Sequence, residues 1–174
     1  MIPFKPCDLL THLDCSMSRI RSQEKEGFRL EYCLSGQVSA IRYPAPATSP
    51  GRKWNLWEHT CLEFFIAEAG NCSYYEVNLS PSGDWNSFVF SDTRKDMREA
   101  TDLEVECLVT RADKDSMVLT ADLLFACNCP QGSLDINMSA VIESGEGRLH
   151  YLAISHPDHR PDFHNRKFFR RVQP

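Results

Sequence analysis

Apolar and polar residues alternate with a period of two along most of the chain, which predicts strands rather than helices. Such runs cover residues 28–34 (FRLEYCL), 37–43 (QVSAIRY), 61–67 (CLEFFIA), 73–80 (SYYEVNLS), 84–90 (DWNSFVF), 103–110, 116–125, 135–144 and 149–155. Turn residues separate them. Ser35-Gly36 reads as a two-residue hairpin, and Gly70-Asn71, Pro81-Ser82-Gly83, residues 112–115 and Gly145-Glu146-Gly147 break the later runs. A short helix is expected near residues 8–20, and the charged connection over 93–101 also reads as helical. No strand–helix–strand rhythm and no internal repeat is present. The pattern predicts an all-β protein, a two-sheet antiparallel β-sandwich of jelly-roll type with about nine or ten strands, in one domain spanning residues 1–174.

Two adjacent runs carry unusual polar positions. In 61–67, Leu62, Phe64 and Ile66 share one face and Cys61, Glu63 and Phe65 the other. In 73–80, Tyr75, Val77 and Leu79 oppose Tyr74, Glu76 and Asn78. The aliphatic sides are the expected core. The second faces would then lie on the outside of a sheet, where mixed polar and aromatic residues are ordinary. Rings beside carboxylates and amides also suit a sugar, whose C–H face stacks on an aromatic ring while its hydroxyl rim takes hydrogen bonds.

The 174 residues are enough to bury a substantial core. A net charge of −5 argues against nucleic acid as a partner. The basic cluster RKFFRR at 166–171 reads as a solvated terminal face. No apolar run is long enough for a transmembrane helix. The prolines and acids of the first residues do not form a signal peptide, so a cytoplasmic location is expected. In that compartment the eight cysteines are expected to be mostly buried small hydrophobes, and Cys127 and Cys129 are too close together for an ordinary zinc spacing. His156, His159 and His164 lie in a proline-containing loop that does not enforce convergence on a metal. Asp92, Asp113 and Asp115 offer oxygen ligands for calcium, without an EF-hand-type loop. Nucleophile-elbow, phosphate-loop and zincin motifs are missing, and Glu63 with Glu76 is the one pairing that could serve glycoside hydrolysis.

The segments LWEHTCLEFFI, YYEVNLSPSGDWNSFVF and HPDHRPDFHNRKFF resemble the DOMON-like proteins related to family nine carbohydrate-binding modules. The resemblance is close over residues 56–90 and 150–169. It implies a two-sheet β-sandwich and a non-catalytic binding module, with a saccharide the inherited ligand. Family nine modules serve secreted polysaccharide-degrading enzymes. A cytoplasmic relative is expected to meet a soluble saccharide, a cell-wall precursor fragment or another small metabolite. Haem is the ligand of other DOMON branches and would need Met and His axial ligands. Met97, Met117, Met138 and His59 are available, although Met138 reads as core. No cofactor is expected, haem and calcium being the alternatives.

The binding residues expected are Trp57 and Trp85 as stacking surfaces and Glu63, Glu76, Asn78 and Arg94 as hydrogen-bonding partners. His59 and His164 would close the rim. A ligand-binding module should show a concave pocket at these residues, an enzyme a closed pocket with a perturbed carboxyl or histidine, and an interaction module a flat apolar patch.

Overall fold

The computed structural model describes residues 9–155, 157 and 161–173, with the side chains of all of these except Cys107 and Val109. Among the described residues, eleven strands form two antiparallel sheets. They are β1 (Leu10–Ser22), β2 (Lys25–Gly36), β3 (Cys61–Glu68), β4 (Tyr74–Leu79), β5 (Trp85–Phe90), β6 (Arg98–Glu99), β7 (Leu103–Ala112), β8 (Ser116–Phe125), β9 (Leu134–Glu143), β10 (Leu149–Ala153) and β11 (Arg170–Val172). One sheet has four strands in the order β1-β2-β8-β7. The other has seven, in the order β10-β9-β3-β4-β5-β6, with β11 beside β9. The fold is thus the all-β sandwich that the alternation predicts.

The inward faces meet in one core. Phe28, Leu30, Tyr32 and Leu34 of β2 and Leu119, Ala121 and Leu123 of β8 face Leu62, Phe64 and Ile66 of β3, Val77 and Leu79 of β4, and Met138 and Ala140 of β9. Tyr32 is wholly buried, and its hydroxyl crosses the core to donate to the Glu63 carbonyl at 2.7 Å. A buried phenol needs such a partner. This one ties β3 to the opposite sheet at the residue whose side chain points the other way.

Three expectations are corrected. The helix expected near 8–20 is not found in the described residues of that range, which are extended from Leu10 and open the long β1–β2 hairpin. A bulge between Leu10 and His12 brings Leu10 and Leu13, three residues apart, both onto the buried side. That one extra residue gives the apolar positions a helix-like spacing in a strand. Second, the run 37–43 is not a strand and Ser35-Gly36 is not its hairpin. A 3-10 turn at Val38–Ala40 leads to a single bridge between Ile41 and Ser144, so the segment crosses between the sheets with Val38 and Ile41 buried. Third, 93–101 holds a turn with Arg94 and Asp96 at φ of 55° and 50°, followed by β6.

The largest difference concerns the outward face of the seven-stranded sheet. β3 is buried along both sides from Cys61 to Ala67. Phe65, Tyr74, Phe88, Phe90, Val141 and Phe163 form a second apolar cluster there, joined by Trp57 and Phe169. The covering layer is the last part of the chain, held by polar clamps. Asn137 on β9 donates to the Phe163 carbonyl at 3.0 Å, and Arg166 donates to the Asn71 carbonyl at 3.1 Å while lying 4.7 Å from the Phe169 ring centroid. Arg171 grips Asp135 through two bonds of 2.9 and 3.0 Å. The basic cluster is therefore partly structural cement, not a solvated face alone.

Of the six cysteines whose side chains are described, all are free thiols and Cys15 and Cys61 are buried, while Cys72 and Cys127 are exposed. Cys7 lies outside the described residues. Asp113 caps a turn by accepting from the Ser116 and Asp115 amides, and Asp92 is engaged by Lys95 at 2.9 Å.

Gly36 closes the β1 bulge at φ +134°, with the Leu9 carbonyl oxygen 2.6 Å from where a Cβ would stand. Gly36→Ala is expected to destabilise the fold by on the order of 2 kcal/mol in urea denaturation. A change within about 0.5 kcal/mol, the range of an ordinary surface substitution, would contradict the bulge geometry.

Candidate binding cleft

The covering layer leaves an opening. A cleft of about 630 Å3 is lined by Glu63 and Glu76 at its floor and by Trp57, Phe90, Met97, Val141, Tyr151, Pro161 and Phe163 as apolar walls, with Arg94 and His164 at its side. The floor follows from register. Glu63 on β3 stands opposite Asn78 on β4 and Ser139 on β9, and Asn78 opposite Asn86 on β5, so four strands contribute one polar row across the sheet. Phe65 pairs with Glu76, which pairs with Phe88, giving the next row.

Every member of the polar row is buried, and the hydrogen bonds are local. Ser139 Oγ donates to Glu63 Oε2 at 2.9 Å, and Asn78 Nδ2 donates to Glu76 Oε1 at 2.8 Å. Glu63 and Glu76 retain 5% and 6% of their surface. Burial raises both carboxyls, because the charged form loses hydration. Glu63 is pushed further, to about 8, by the neighbouring Glu76 charge, and Glu76 reaches about 7, with the Asn78 bond and the Arg94 charge holding it down. Two carboxyls this close titrate as a pair.

His164 is inside the site and not at its rim, with its side chain 13% exposed. The Arg94 amide donates to Tyr74 Oη at 3.2 Å, which leaves the phenol proton for His164 Nδ1 at 2.7 Å. That chain places the imidazole hydrogen on Nε2, facing Glu76 Oε2 at 3.6 Å. The separation is too long for a hydrogen bond. It is not an ion pair either, since burial and the Arg94 charge push the imidazole down to about 4. Arg94 itself reaches Asp162 at 3.0 Å and stays 58% exposed.

Five of the eight residues expected from the sequence, Trp57, Glu63, Glu76, Arg94 and His164, are thus brought together. Asn78 lies beneath the floor, and it positions Glu76 without facing the opening. Trp85 points the other way, as its pairing with Leu79 requires, and packs under the Arg52 guanidinium at 4.3 Å. His59 is at the end of the sheet and bonds Glu143 Oε2 at 2.8 Å. The reading put Tyr74 on this face but gave it no role, and it missed Ser139, Tyr151 and Phe163. Ser139 and Asn137 were detectable in principle, being polar at alternate positions of an apolar strand, but only the β3–β9 pairing puts them at this site.

Among the described residues, no group of three or more His, Cys, Asp or Glu is arranged to hold a metal ion. His156 and His159 lie outside the described residues, and His164 is engaged by Tyr74. Met117 and Met138 are buried between the sheets, whereas Met97 lies on the cleft wall.

No family model matches the chain, and no curated protein matches it. Solved structures do. A candidate carbohydrate-binding protein from Bacteroides uniformis superposes with a TM-score of 0.65 at 16% identity, over 99% of this chain and 86% of that one. A family nine carbohydrate-binding module from Caldicellulosiruptor kristjanssonii, solved with glucose, gives 0.60 at 8% identity over 99% and 81%. The same kind of module with cellotriose gives 0.62 at 8% identity over 99% and 80%. At such identities the likeness establishes a shared β-sandwich architecture.

The carboxyl pair has a signed consequence. Both folded pKa values lie above the ordinary 4.5, so their contribution to stability is present at low pH and is lost as pH rises through about 7 and 8. His164, depressed below its ordinary 6.5, acts oppositely, adding stability between about 4 and 6.5. The urea midpoint is therefore expected to fall between pH 6.5 and 8, and the fall to flatten in Glu63→Gln/Glu76→Gln. An unchanged slope in the double variant would show that these carboxyls titrate normally.

Proposed function

We propose that the protein is a non-catalytic module that binds a saccharide in this cleft, as a DOMON-like relative of family nine carbohydrate-binding modules. The observation that carries this reading is a pair of buried carboxyls, pre-oriented by Ser139 and Asn78, at the floor of an open cleft with aromatic walls. A pyranose matches both halves: its C–H face gains from Trp57 and Tyr151, and its hydroxyls gain from Glu63, Glu76 and His164 Nε2. The groups are held by the sheet itself, so little ordering is needed on binding. The structural neighbours with glucose and cellotriose support the same ligand class.

The raised carboxyls are also what proton transfer would need. Their placement argues against glycoside cleavage. Glu63 and Glu76 are diagonal neighbours on one sheet floor, with Cα atoms about 7–8 Å apart and side chains pointing the same way. Glycosidase carboxyls instead flank the scissile bond from two sides.

Isothermal titration with glucose, cellotriose and a panel of other mono- and oligosaccharides tests the reading. At least one is expected to bind, and Trp57→Ala is expected to weaken it about tenfold or more by removing an aromatic wall. No binding across the panel, or undiminished binding in the variant, contradicts it. Incubation with the bound oligosaccharide is expected to release no shorter sugar.

A further inference from the structure

The floor of the cleft has more acceptor than donor capacity. Glu63 and Glu76 each commit one carboxyl oxygen to the sheet, to Ser139 and Asn78 respectively. Their other oxygens, Glu63 Oε1 and Glu76 Oε2, receive no hydrogen bond from the described residues, while both side chains line the cleft and are more than nine-tenths buried.

The described titratable groups around the pair compensate it only in part, through the Arg94 charge. From β3 and β4 come Cys61 and Tyr74, and from β10 comes Tyr151. Of the β9 carboxylates, Glu143 is occupied by His59 and Arg42, and Asp135 by Arg171 and Arg166. The final segment brings Asp162 and His164, and the β5–β6 turn brings Arg94. Among the described residues Arg94 is the one permanent cation at the cleft, and its guanidinium is engaged with Asp162 and largely in water. His164 accepts the Tyr74 hydrogen bond on Nδ1 and so presents a neutral ring. Among the described residues, therefore, no cation bonds either of the two buried carboxyls that face the open cavity, and the Arg94 charge acts on them without contact. A buried charge without a partner is costly, and a ligand that brings the partner gains what the protein lacks.

We propose that the saccharide taken by this cleft is an amino sugar, its ammonium seated between Glu63 and Glu76. The proposal rests on the saccharide reading above and narrows it. An ammonium has three donors and no acceptor, which fits one bond to each free carboxyl oxygen. The sugar ring keeps its C–H face for Trp57 and Tyr151, and the cation also gains from the faces of nearby rings. Seating the ammonium ionises the pair, and any proton the pair holds passes to solvent. N-acetylation would abolish both the charge and the fit, so the free amine is what the site distinguishes.

Calorimetric titration of the full chain at neutral pH with glucosamine, N-acetylglucosamine and glucose tests this, repeated in two buffers of different ionisation enthalpy. A ligand that lowers the proton affinity of the pair by about one unit binds the ionised pair about tenfold tighter than the protonated pair, a preference an uncharged sugar lacks. Glucosamine is expected to show that advantage over glucose, with net proton release. Glu63→Gln is expected to narrow the ratio between the two, whatever it does to either alone. Should that variant not fold, the wild-type ratio and the proton count decide the matter. Glucose or N-acetylglucosamine binding as well as glucosamine, or no proton release, overturns the inference and leaves the saccharide reading intact. Failure of every saccharide to bind overturns both.

Discussion

The structure depends on a strand that is buried on both sides and yet carries a carboxylate. On its inner face β3 joins the apolar core through Leu62, Phe64 and Ile66. On its outer face Glu63 and Phe65 lie under the last stretch of the chain. Ionising a carboxyl there costs several kcal/mol unless charges or hydrogen bonds compensate. The fold meets the constraint with local donors, Ser139 for Glu63 and Asn78 for Glu76, and by raising both pKa values so that a proton is retained. Aromatic burial around them, worth roughly 1.5–3 kcal/mol for a ring as large as Phe65, offsets what remains.

That arrangement explains the covering layer. Phe65, Tyr74, Phe88 and Phe90 would otherwise form an exposed apolar patch on a sheet exterior. Phe163, His164 and Phe169 pack onto them, with Tyr74 stacked on Phe90 at 4.9 Å and His164 edge-on to Phe65 at 5.1 Å. Clamps from Arg166 and Asn137 hold the layer in register. The described part of the layer stops short of the Glu63–Glu76 pair, and that gap is the cleft. The proposed recognition chemistry and the fold stability therefore draw on the same residues, and the Tyr74–His164 bond belongs to both.

Sequence alternation was a good guide wherever a strand keeps one period throughout. Eight of the nine alternating runs, β2 among them, became strands, and the Glu63, Glu76 and Asn78 face was legible from parity alone. It failed where a single residue breaks parity, as at the β1 bulge, and where a short alternating run is needed to cross between sheets, as at Val38 and Ile41. The site was half legible for a related reason. Parity puts Glu63 and Glu76 on a common face, but it cannot say that β9 lies beside β3 or that residues 161–169 fold back over both. Trp85 shows the limit from the other side. Its type suggested a stacking surface, while its position opposite Leu79 sends it toward the core.

A structure of the protein with a saccharide bound tests the central claim most directly. The account predicts the sugar in the cleft, its ring against Trp57 or Tyr151 and its polar groups within hydrogen-bonding distance of Glu63 and Glu76. A saccharide seated elsewhere, such as the groove between the sheets lined by Asp14, Glu31, Cys33 and Gln173, would contradict it.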